Sequence, residues 1–79
     1  MTAGVYKHYK GGYYQVLGVA AHSETNEKLV VYCSLTGANL PGPRLRVRPL
    51  NMWNELVEWP NNSIMLPRFI YVGDEILRN

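Results

Sequence analysis

The sequence predicts a small, mainly β protein, an SH3-like, partly open barrel of five to six strands with one short helical turn. Three observations point there. No long segment carries apolar residues at helical spacing. Several β-branched and aromatic runs are cut by Gly, Pro or Asn. The chain has 79 residues, enough for one hydrophobic core and no second, so residues 1–79 read as a single domain.

The elements follow in order. VYKHY (5–9) is a first short strand, and Gly11-Gly12 offers a two-residue turn with positive φ at both positions. YYQVLGVAAH (13–22) is a long second strand with Gly18 as a bend or bulge. After the polar connection 23–27, KLVVYCSL (28–35) is a third strand, and the Gly, Asn and two prolines of 36–43 make a loop. RLRVRPL (44–50) is a fourth strand closed by Pro49. NMWNEL (51–56) suits one helical turn with Asn51 as N-cap. Met52, Leu56 and Trp59 then share a side and plug a barrel end, while an exposed Trp53 would be an interface anchor. LVEW (56–59), a turn at 60–63 and MLPRFIYVG (65–73), interrupted early by Pro67, complete a last hairpin. The tail 74–79 is a further helical turn or a frayed end.

Composition narrows the class. Cys33 is the single cysteine, so no disulfide can form within the chain, and a free thiol fits a reducing compartment. It shares a strand face with Leu29, Val31 and Leu35, as a small buried hydrophobe would. The start, MTAGVYKHYKGG, lacks an apolar leader region, and no apolar run approaches a bilayer's thickness. A cytoplasmic protein without a membrane role is expected. So small a domain has thin stability, and self-association into a homo-oligomer is the expected reinforcement. The net charge of +2 is mild, but Arg44, Arg46 and Arg48 crowd into one stretch.

If Gly11-Gly12 form the turn, Tyr9 faces Tyr14 and Lys10 faces Tyr13 across the hairpin. Alternation then puts Val5, Tyr9, Tyr14 and Val16 on a core face, with Lys7 at its margin. Tyr6, His8, Lys10, Tyr13 and Gln15 take the other face, where rings and cations together suit base stacking and phosphate neutralisation. Plain structural use of the tyrosines is the competing explanation. A bulge in the turn would exchange the two faces.

The motifs behind these readings form a wider pattern. Gly4, Tyr6, His8, Tyr9, Lys10, Gly11 and Tyr14 come first, followed by His22, Ser23, Glu24 and Glu27, and by Val30 and Tyr32. Val47-Arg48-Pro49-Leu50 and Pro67-Arg68-Phe69 close the series. On these spaced motifs the chain resembles the small bacterial family DUF1653, a domain of unknown function. That family often has an aromatic residue where this chain has Arg46, and its 36–43 loop is commonly shorter and poorer in proline. The resemblance implies no reaction.

Three arginines alternating along a strand stand roughly 7 Å apart on one face, close to the phosphate spacing of an extended single strand. A solvated face that guards a sheet edge is the alternative. Arginine throughout, where lysine would guard as well, favours anion or carboxylate recognition. His8, His22, Cys33, Glu24 and Glu27 lack metal-ligand spacing, so neither a metal nor another cofactor is expected. His22, Glu24 and Glu27 are expected in a polar cluster with Arg48 or Arg68. Ser23 beside His22 and Glu24 is a turn residue rather than part of a triad, so no catalytic residues are assigned.

The function expected is a binding module for an anion, single-stranded nucleic acid or a nucleotide. Tyr6, His8, Lys10, Tyr13, Arg46, Arg48 and Arg68 are its candidate ligand-binding residues. The alternative is a protein-interaction or self-assembly module without a nucleic-acid role. A small enzyme using His8 or His22 with Glu24 is the third reading.

Overall fold

A computed structural model describes residues 1–36, 44–60 and 63–74. The prolines of the 36–43 loop and most of the 74–79 tail lie outside these. The chain is mainly β. β1 (Gly4–His8), β2 (Tyr13–Ala21), β3 (Lys28–Ser34), β4 (Arg46–Pro49) and β7 (Phe69–Gly73) make one antiparallel sheet in the order β4-β3-β2-β1-β7. β5 (Leu56–Glu58) and β6 (Met65–Pro67) form a separate two-stranded sheet, and α1 (Leu50–Trp53) is the single short helix among the described residues.

The sheet does not close into a barrel, because its edge strands β4 and β7 share no ladder. It does curl. Four flat interstrand steps would separate those edges by roughly 19 Å, yet the Arg48 guanidinium of β4 lies 5.6 Å from the centre of the Phe69 ring of β7. Extra residues in the ladders supply bending: the β2–β3 register slips between Val16 and Gly18, where a bulge was expected, and the β1–β7 register slips at Val5–Tyr6.

The hollow of the curl holds the core. Trp53 is fully buried there with Val16 and Val30, beside Tyr6 and Phe69, and its indole stacks on the Phe69 ring at 3.7 Å and 8°. The plug is thus Trp53 itself, while Met52 and Leu56 stay exposed and Leu56 belongs to β5. The helical turn begins one residue earlier than expected, after Pro49. No side chain caps it, and it ends where Asn54 N–H donates to the Leu50 carbonyl at 3.1 Å. A proline is a natural neighbour of a helix start, since the missing N–H there would have been an orphan in any case.

The opening hairpin departs from the two-residue turn. Lys7 pairs with Tyr13, Tyr6 with Tyr14 and Val5 with Gln15. Gly11 N–H donates to the His8 carbonyl at 2.9 Å, and His8 N–H donates to the Gly12 carbonyl at 3.1 Å. This is a three-residue loop, Tyr9-Lys10-Gly11, closed by a glycine bulge with Gly11 at φ 97°. The shift is odd, so the hairpin's faces exchange. Tyr6 and His8 now share the concave face with Tyr14 and Val16, whereas Lys7, Tyr13 and Gln15 point to the convex side. Gly4 is the other glycine that matters: at φ 139°, a Cβ there would meet the Gly73 carbonyl oxygen at 2.7 Å.

Candidate functional site

Following the ladders outward shows what the concave face collects. Val16 pairs with Tyr32, Tyr32 with Arg46, and Val30 with Arg48, so the β4 arginines project to the same side as Tyr6, His8 and Tyr14. Arg44 precedes the strand and is exposed, so the expected ridge of three is two on the strand and one before it. Of these, Arg48 is the one drawn in over Phe69.

Aromatic rings build the wall. His8 lies 4.8 Å from the rings of both Tyr9 and Phe69, and 6.1 Å from Tyr14. Tyr14 meets Phe69 edge-on at 5.5 Å and Tyr32 at 5.7 Å. Cations sit on these rings. Arg48 covers Phe69 at 5.6 Å, while Lys10 and Arg68 approach the Tyr9 ring at 5.6 and 5.4 Å. Such stacking holds a cation in place without neutralising it.

Arg68 is the corner post. Its backbone N–H donates to the Glu55 carbonyl at 2.8 Å and its own carbonyl accepts from Tyr9 N–H at 3.0 Å, tying the approach to the small sheet to the hairpin loop. Its side chain donates to the Glu55 carboxylate, which holds the guanidinium above its ordinary pKa. This is one donor of five, so the rest of the fork is not spent on Glu55. Among the described residues, no carboxylate forms an ion pair with Lys10 or Arg48.

His8 is the ring on which these groups bear. Burial, then Arg68, Arg48 and Lys10, push its pKa below the ordinary histidine value. Its Nδ1 accepts the Lys10 backbone N–H at 3.1 Å. An imidazole accepting at Nδ1 carries its proton on Nε2, so His8 is neutral and offers a donor there.

The candidate residues therefore divide. His8, Lys10, Arg48 and Arg68 come together. Tyr6 faces the same hollow but is core: it is 7% exposed, meets Trp53 edge-on and donates its hydroxyl to the Thr2 carbonyl at 2.6 Å. Tyr13 is on the opposite side with Lys7, 6.0 Å from its ring. Arg46 is exposed at the sheet edge, beyond Tyr32. His22, Glu24 and Glu27 stay in their own turn, where Nδ1 of His22 accepts the Glu24 N–H at 3.1 Å and His22 N–H donates to the Glu27 carbonyl at 2.8 Å. Arg68 pairs with Glu55 instead of with that cluster, because the β6–β7 corner stands beside residue 55. Cys33 is half-buried rather than buried, on the face that it shares with its partner Gln15.

Tyr9, Phe69 and Glu55 were missed as site residues. Two of them had a signal: Tyr9 and Phe69 stand inside the HYKG and PRF motifs, next to cations that were chosen. Glu55 had none. A shallow depression of about 410 Å³ between Lys28 and Asn51 gathers no comparable set of groups.

The comparisons agree with this assembly of motifs. The crystal structure of a DUF1653 protein from Bordetella bronchiseptica superposes with a TM-score of 0.82 at 39% identity, over 100% of this chain and 95% of that one. None of the curated proteins matches. No helix among the described residues is long and apolar enough to cross a membrane. The family described as "Protein of unknown function (DUF1653)" matches residues 4–71, and the spaced motifs of those residues bring His8, Tyr9, Lys10, Arg48, Arg68 and Phe69 to one place; the chain belongs to that family.

Proposed function

We propose that this protein is a small cytoplasmic binding module for an anionic ligand with a stackable ring, a nucleotide or single-stranded nucleic acid. The observation that carries the reading is the arrangement of Lys10, Arg48 and Arg68 against the Tyr9 and Phe69 rings, all around neutral His8. Cations held on rings are pre-ordered donors for phosphate, and the ring edges beside them can pack a base. Tyr9 and Tyr14 take the stacking role first expected of Tyr6 and Tyr13.

Fluorescence anisotropy with a labelled oligothymidylate tests it. Binding weakens steeply from low to moderate salt, and the slope falls by about one for each of Lys10→Gln and Arg48→Gln. No binding of any oligonucleotide or nucleotide at low salt would end the reading.

A second observation favours a self-assembly or protein-interaction module. The convex side of β4 leaves Val47 56% exposed, next to its half-buried partner Val31. An apolar strip at an edge that no other described strand pairs is a place where chains associate. Light scattering distinguishes the cases: an oligomer that Val47→Lys returns to monomer supports this reading, and a monomer at high concentration that co-purifies with no partner removes it.

A further inference from the structure

The cations of this corner come from three different elements around one imidazole rather than from a single strand. Lys10 and Arg68 share one ring, Tyr9, and Arg48 sits on the next, Phe69; both rings lie 4.8 Å from the same imidazole. A nucleic-acid backbone presents one charge per nucleotide, roughly 7 Å apart when extended, and is matched by spaced cations. A converging set matches one compact anion that carries more than one charge.

The local charge agrees. Three cations against the single carboxylate of Glu55 leave two positive charges uncompensated among the described residues. A phosphate monoester carries about −1.5 to −2 at neutral pH, with three acceptor oxygens; a backbone diester carries one charge. The donors are of the right kind: planar forks from Arg48 and Arg68, the Lys10 ammonium, and Nε2–H of His8.

We propose that the His8 cluster is a seat for one terminal phosphate monoester, that of a nucleotide or of a phosphorylated strand end. This deepens the anion-binding reading and rests on it. His8 binds as a neutral donor. Its Nδ1 is occupied by the Lys10 N–H, and Arg68 at the β6–β7 corner, Arg48 on β4 and Lys10 in the hairpin loop all oppose a further proton. The uncharged Tyr9, Tyr14 and Phe69 complete its surroundings. The pH dependence then belongs to the ligand: affinity rises with pH as the monoester loses its second proton near pH 6. A site built on a charged histidine would lose affinity over the same range.

The experiment compares one short oligonucleotide with a terminal phosphate and with a terminal hydroxyl, by calorimetry at fixed salt, from pH 5.5 to 7.5. We expect a preference of about tenfold or more for the phosphorylated strand at pH 7.5, shrinking towards pH 5.5. In Arg48→Gln and Lys10→Gln the preference falls to about threefold or less, while circular dichroism shows the fold retained. Equal binding of the two strands overturns the terminal-phosphate seat but leaves a backbone-binding module standing. Affinity that falls as pH rises overturns the neutral-donor role of His8. A mononucleotide titrated beside them separates the two sources, since its binding without that of either strand assigns the seat to a nucleotide. Binding of neither strand nor the mononucleotide removes both readings.

Discussion

Replacing Phe69 with leucine tests whether the curled sheet is held together across its two edges. Phe69 is 5% exposed and touches a ring or cation from four places: Trp53 stacked at 3.7 Å, Tyr14 at 5.5 Å, His8 at 4.8 Å and Arg48 at 5.6 Å. Aromatic pairs contribute about 0.5–1.5 kcal/mol each beyond their buried area, and a cation on a ring about 0.5–1 kcal/mol. Leucine keeps most of the apolar burial and loses these ring interactions, so we expect a loss of about 2–4 kcal/mol. A chain of this size has roughly 4–12 kcal/mol in all. Urea unfolding followed by the fluorescence of buried Trp53 measures the change. With m near 1 kcal/mol per molar, the midpoint drops by about 2 M or more at unchanged m. Tyr13→Leu on the convex face is the control, expected within about 0.5 kcal/mol of the parent. A loss for Phe69→Leu no larger than the control's would refute the claim that side chains, and not backbone pairing, bring the edges together.

Other outcomes follow from the same geometry. Gly4→Ala combines a left-handed φ of 139° with a 2.7 Å approach to the Gly73 carbonyl oxygen; a loss of about 2 kcal/mol or more is expected by the same urea assay. His8 in the folded chain resists a proton that the unfolded chain accepts near pH 6.5. Its contribution is therefore complete above that pH and declines as pH falls below it, and melting temperatures of His8→Gln against the parent from pH 7.5 to 4.5 should show the slope reduced. Glu55→Gln removes the partner of Arg68 at an exposed position. Stability should change by less than about 0.5 kcal/mol, while affinity for an oligonucleotide at low salt rises about twofold to fivefold; weaker binding would mean that Glu55 positions Arg68 for the ligand.

Much of this molecule was legible in one dimension. Alternating β-branched and aromatic runs placed the first five strands to within two residues, because the demand for a buried face at period two is local. The expected strand 65–73 is instead two, with β6 in the small sheet and β7 beside β1. Pro67 marked the end of β6, and Gly18 marked the bulge, for equally local reasons of a missing N–H and a missing side chain. The grouping of lysine, arginine and ring residues near one another also began in the motifs. The strands' facing did not. Whether Gly11-Gly12 closes a two-residue turn or Tyr9-Lys10-Gly11 a bulged one depends on a few hydrogen bonds of similar worth, and the packing of Tyr6 against Trp53 and Tyr71 is available only to the second.

What the sequence determined by itself was the β class, the strand order along the chain and the supply of cations beside aromatic rings, since each follows from residue type and spacing. Only the tertiary structure decided which rings are core and which border the cations. It alone brought Arg48 from one edge of the sheet over Phe69 at the other, and it alone gave Arg68 to Glu55 instead of to the His22 turn. The physical reason is curvature. How far a sheet curls depends on bulges and on a buried plug acting together across 60 residues or so of chain, and no local pattern encodes where its two edges will meet.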